Sequence, residues 1–191
     1  MPTGIAIRDV REQLFDAAER ILLRAGPSAL TSRAVTAEAA CAKGVLHRHF
    51  ADFDAFLAEF VLDRVARMDP QAAALREAAG TGAVVDNLAD ALTALFGSAA
   101  VAVVPLITFR DELRARLRET WPAGVPVLTE AAMMIAGYLG AERDLGRIAA
   151  DADVDTLGAM LIGAGHLLFA DRTGPPPEPA AVRRMVAAVI S

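Results

Sequence analysis

Much of what commonly stabilises or catalyses in small proteins is scarce here. The single cysteine, Cys41, excludes an internal disulfide and any cysteine-built zinc cage, as expected of a cytoplasmic protein. One Tyr, one Trp and the lack of alternating Val, Ile and aromatic runs argue against a sheet, while abundant Ala and Leu favour an all-α fold. With three histidines, no phosphate loop, no glycine-rich dinucleotide turn, no nucleophile elbow and no His-Glu-x-x-His, the chain is not expected to be an enzyme. No catalytic residue, metal or cofactor is expected either. The N-terminus has no charged-then-apolar secretion pattern. The 19 charge-free residues from Ala91 to Phe109 are interrupted by Thr93, Gly97, Ser98, Pro105 and Thr108, which fits short buried helices rather than a membrane span.

What is present is an ordinary globular composition, 54% hydrophobic and 23% charged over 191 residues, with its charge unevenly placed. Residues 1–50 hold seven Lys and Arg against five Asp and Glu, whereas the remainder holds twelve against nineteen. The acidity therefore belongs to the C-terminal part, at net −7 against +2 for residues 1–50, and the N-terminal part is free to approach a polyanion.

Apolar residues at Val10, Leu14, Ala17, Ala18, Ile21, Leu22 and Ala25 recur at steps of three and four, predicting an amphipathic first helix that stops at Gly26-Pro27. Thr31 is placed to cap a second helix over 32–39, and Ala40-Cys41-Ala42 leaves only a tight connection to a third over 43–50. Three short helices so joined make a helix-turn-helix candidate. Asp52 is placed to cap a fourth helix reaching about Met68, before Pro70. Further helices are expected near 71–79, 83–96, 99–119 with a break at Pro105, 125–140, 153–171 and 179–190. The domains read as 1–51, a helix-turn-helix unit, and 52–191, a helical unit for which the family resemblance that follows implies ligand binding and dimerisation.

The run from Val35 to Phe50, with Lys43-Gly44-Val45-Leu46 and Arg48-His49-Phe50, resembles the DNA-binding signature of the tetracycline-repressor (TetR) family. Arg11 to Gly26 resembles that family's first helix, and Leu30-Thr31 its entry to the second. The resemblance implies a dimeric transcriptional regulator, a repressor, that binds a pseudo-palindromic double-stranded DNA operator and is released by a small hydrophobic effector. The DNA-contacting residues it implies are Thr31, Ser32, Arg33, Lys43, Gly44, Val45, His47, Arg48 and His49. Physical chemistry supports several of these. Lys43 at a helix start suits a phosphate, Gly44 permits close backbone approach, Val45 suits a thymine methyl, His47 a phosphate or base edge, and Arg48 a phosphate. Three positions depart from the family: Ala42 where Ser or Thr usually caps, His47 for Tyr, and Phe53 for Lys. Cys41, where a small apolar residue is usual, reads as a buried small hydrophobe rather than a redox sensor.

For the C-terminal part, an effector pocket is expected from Phe96, Leu106, Phe109, Trp121, Met133, Met134 and Met160, with His166 as a polar anchor. A homodimer interface is expected from Leu128, Ala131, Ile135, Tyr138, Leu157, Leu161, Ala164 and Leu168, helped by close approach at Gly158, Ala159, Gly163 and Gly165. The rival reading is a helical protein-interaction module without sequence-specific DNA binding.

Overall fold

The computed structural model describes residues 7–122, 124–170 and 174–191. Among the described residues the regular structure is helical, with no strand: α1 (Ile7–Ala25), α2 (Ser32–Glu38), α3 (Val45–His49), α4 (Phe53–Ala66), α5 (Asp69–Glu77), α6 (Val84–Phe96), α7 (Ala99–Ala102), α8 (Val104–Phe109), α9 (Asp111–Thr120), α10 (Pro126–Asp144), α11 (Val154–Leu168) and α12 (Pro179–Ile190). They pack as two compact units, one drawn from residues 1–63 and 102–123, the other from 64–101 and 124–191. The division falls inside α4, after Asp63, rather than at residue 51.

In the first unit, α1 turns Leu14, Phe15, Ala17, Ala18, Ile21 and Leu22 inward and closes on Gly26, whose φ of 76° lets its N–H reach the Leu22 carbonyl at 3.0 Å. Phe15 meets Phe50, Phe56 and Phe60, with ring centroids 5.6 to 5.9 Å apart. Full burial of one such ring contributes about 1.5–3 kcal/mol, so this cluster is the principal core of the unit. Asp52 caps α4 by accepting the Ala55 N–H at 2.8 Å, as its position in the sequence suggests. The same carboxylate pairs with Arg116 of α9, and Asp54 accepts Nε and NH2 of Arg110 at 3.0 and 2.7 Å. Phe53, where the resembling family has Lys, stacks on Phe56 and lies beneath the Arg110 guanidinium.

The charge-free stretch 91–109 is shared among α6, α7 and α8, and among the described residues no helix is long and apolar enough to cross a membrane. The break falls at Val103, just ahead of Pro105. Pro105 sits in the first turn of α8, where a missing N–H costs little.

In the second unit, α10 packs along α11, α12 packs on α6 and α11, and α5 packs on α10. Gly158 permits the first contact, since a Cβ there would lie 2.7 Å from the Ala132 carbonyl oxygen. Gly165 leaves room for the Phe96 ring, which stacks on Phe169 at 5.1 Å. Glu142 is fully buried and accepts the Tyr138 hydroxyl at 2.6 Å and the Gly80 N–H at 3.3 Å, with Arg147 3.4 Å from its second oxygen. Asn87 donates to the Tyr138 hydroxyl at 2.9 Å and to the Thr81 carbonyl at 2.9 Å, tying the α5–α6 turn to α10.

Candidate nucleic-acid interface

The site is built on α2, a six-residue connection and α3. Thr31 caps α2 by accepting the Ala34 N–H at 3.1 Å, and the buried Thr36 hydroxyl donates back to the Ser32 carbonyl at 3.0 Å. Seven residues make a marginal helix on their own. It is held to α1 by Glu38, which accepts Arg20 Nε at 2.9 Å and Arg24 NH2 at 2.8 Å. These bonds, the one from Arg24 being the stronger, bring the Glu38 carboxyl down to about 2.

The chain then reverses through Ala40, whose φ is 52°. Its N–H donates to Ala37, and the Cys41 N–H donates to the Thr36 carbonyl at 2.9 Å. This is the paired closure that usually has Gly at the left-handed position. Cys41 is half-buried, with Sγ 3.4 Å from the Ala39 carbonyl oxygen.

The five-residue α3 is capped by Gly44 rather than Ala42 and so starts two residues later than expected, without a side-chain cap; Ala42 contributes only its carbonyl, which accepts the Val45 N–H at 2.9 Å. Its two faces differ. Val45 and Leu46 are buried, His49 is half-buried, and Phe50 closes the inner side, with the Arg11 guanidinium 4.4 Å over its ring and Arg11 NH1 donating to the His49 carbonyl. Gly44, His47, Arg48 and Ala51 are exposed. Gly44, His47 and Arg48, spaced by three and four, share one helical face, while Ala51 lies beyond it, after the extended Phe50. Lys43, the chain's one lysine, is exposed just before it.

This sorts the expected DNA residues. Thr31, Arg33, Lys43, Gly44, His47 and Arg48 lie at the surface, and Ser32 and His49 are half-buried. Val45 is 8% exposed and packs into the core, so its expected contact with a thymine methyl is withdrawn: its apolar side chain is part of the unit's interior. Arg33, Lys43 and Arg48 form no ion pair among the described residues, in contrast to Arg20 and Arg24 on Glu38. Gly44 is informative in another way. Its φ of −82° suits any residue, and a Cβ built on it meets nothing within 4 Å, so nothing within the chain requires glycine there.

The residues expected to line a pocket fall in both units. Leu106 is buried, Trp121 half-buried and Phe109 83% exposed in the first. In the second, Phe96 and Met134 are buried, while Met133, Met160 and His166 face solvent and line no interior cavity. The expected dimer residues also need correction. Ala131, Ile135, Tyr138 and Leu161 are fully buried within the second unit and cannot meet a partner. Leu128, Leu157, Ala164 and Leu168 are half-buried. Both α10 and α11 are apolar around much of their circumference, so composition does not distinguish the inner face from the outer. The outward apolar residues are Met133, Met160 and Leu167, interspersed with Gly140 and Gly163, which have open space beside them. The buried Glu142 network was not anticipated, although a lone Tyr four residues before a Glu in an apolar helix is the signal that could have found it.

The family model for bacterial regulatory proteins of the tetR family matches residues 14–60. No curated protein matches the sequence. Solved structures do share the fold. A TetR-family transcriptional regulator from Mesorhizobium loti aligns with TM-score 0.71 at 15% identity, over 98% of this chain and 96% of its own. The transcriptional regulator FadR from Bacillus subtilis, solved with stearoyl-CoA, aligns with TM-score 0.68 at 17% identity over 94% and 97%. The multidrug binding protein EbrR, solved with imidazole, aligns with TM-score 0.62 at 21% identity over 95% and 94%. Residues 14–60 thus match the tetR family of bacterial regulatory proteins, and the chain as a whole shares its fold with solved TetR-family regulators.

Proposed function

We propose that this chain is a ligand-responsive transcriptional regulator and not an enzyme: a cytoplasmic homodimer that binds a pseudo-palindromic operator as a repressor and is released by a small hydrophobic effector. The observation that carries the DNA-binding part is the outer face of α3. Gly44 has no role in the fold that another residue would not fill, and it lies on one face with two basic side chains and beside an unpaired lysine. A glycine not required from within is accounted for by close approach of something outside, and phosphate backbone fits the charge. Arg33 and the capped start of α2 are placed to hold the flanking phosphates.

The dimer is formed by the outer faces of α10 and α11, centred on Met133, Met160 and Leu167, which a second copy would cover. Two-fold symmetry then sets two α3 helices about 34 Å apart on successive major grooves. The effector class rests on the apolar interior of the second unit, including Phe96 and Met134, and on the acyl and multidrug ligands of two proteins of the same fold. The α4 helix carries the response, with its first turn clasped by Arg110 and Arg116. Effector and operator must weaken each other's binding by one factor.

The test is selection of bound duplexes from a random pool, followed by labelling with a lysine-selective reagent. A palindromic site is expected, and that site, unlike random duplex, protects Lys43 from modification. Failure to select any sequence, with salt-insensitive binding, would defeat this reading and favour a protein-interaction module.

A further inference from the structure

We infer that Arg48 reads a guanine in each operator half-site and is the principal base-specificity determinant of α3. This rests on the DNA-binding reading above and names its partner base. Only two side chains on α3 are both exposed and long enough to reach a base edge, His47 and Arg48. Val45 and Leu46 are inside the core, His49 is half-buried with its carbonyl held by Arg11, Gly44 has no side chain, and Lys43 precedes the helix. Arg48 sits one turn after Gly44 on the same face, so backbone approach at Gly44 brings the guanidinium toward the groove floor. It has no acidic partner among the described residues, which leaves its N–H fork available. That fork holds donors only, and guanine is the base that offers two acceptors, N7 and O6, side by side in the major groove. His47, adjacent on the same face, supplies a single further contact to the neighbouring nucleotide. Arg11 fixes the inner side of this short helix through Phe50 and the His49 carbonyl, so the exposed face is presented in one orientation.

Selection from a random duplex pool with the full-length protein, Arg48→Ala and Arg48→Lys separates base reading from phosphate binding. Lysine keeps the charge but loses the fork. The wild type is expected to select half-sites with one invariant guanine, Arg48→Ala to select the same half-sites with that position degenerate and its preference lowered about tenfold or more, and Arg48→Lys, whose ammonium still donates to N7 or O6 without the fork, to fall between the two. Arg48→Lys should keep the wild-type salt dependence, because the charge is retained. Arg48 is exposed, so circular dichroism should show both variants folded. If both retain the full guanine preference of the wild type, this inference is overturned and DNA binding stands. If the wild type itself selects no site, the functional reading falls and this inference with it.

Discussion

Ala40 is the one non-glycine residue with positive φ among the described residues, and it lies at the turn of the helix-turn-helix. An L side chain there costs about 1–2 kcal/mol, part of which glycine would return to the unfolded state as extra entropy. Ala40→Gly should therefore stabilise the chain by about 0.5–1 kcal/mol in denaturant unfolding, with no loss of DNA affinity. No gain would mean that the turn is not formed in this way. Gly44, four residues on, predicts the opposite pattern. Gly44→Ala meets open space at an ordinary φ, so the melting temperature should be unchanged or higher, yet a methyl between α3 and the backbone should weaken binding to every duplex. Undiminished affinity would remove the contact assigned to that face. The sequence contains both residues plainly, but only one of their roles. Glycine before an apolar-basic run signals close approach, while alanine in a left-handed turn leaves no mark, because nothing in its chemistry selects that conformation.

Elements were legible where a cap or a period marks them. The Gly26 stop, the Thr31 cap and the Asp52 cap each follow from one side chain or the lack of one, and they fall where expected. The inner and outer faces of α10 and α11 were not legible, because apolar residues surround both helices and only tertiary packing chooses among them. Gly158 is part of that choice. A Cβ at 2.7 Å from the backbone oxygen of Ala132 forces the two helices apart, so Gly158→Ala should cost about 1–3 kcal/mol, whereas Gly163→Ala, in open space, should not. Equal stability of the two variants in urea would contradict the packing. The hold of α1 on α2 predicts an acid sensitivity. Glu38 has its carboxyl lowered from 4.5 to about 2, first by Arg24 and then by Arg20. A lowered group adds stability that is complete above its unfolded value and is lost as pH falls through the folded one. The stabilisation should thus fade between about pH 4.5 and 2. Glu38→Gln should be less stable near neutrality and should lose less of its remaining stability across that window, as read by unfolding at a series of pH values.

At the scale of the whole molecule, the uneven charge and the exposed apolar side chains of α10 and α11 bear on the proposed dimer. A basic surface of two short helices binds few phosphates alone, so the proposed pairing of two copies on one palindrome would raise the affinity for one site among many. The acidic remainder does not oppose this, since a net +2 over residues 1–50 keeps the attraction where contact is made. On the face proposed for the dimer, Leu167 is 79% exposed, Met133 61% and Met160 51%. Leu167→Glu places a charge on that face without touching the core or α3. Sedimentation should then show a monomer at concentrations where the wild type is a dimer, with unchanged helix content. Operator affinity should fall roughly 100-fold or more through loss of the linked second half-site. A half-site duplex should be bound equally by both proteins, because each α3 is intact. Should Leu167→Glu remain a dimer with full operator affinity, the interface lies elsewhere and the exposed ridge serves another partner.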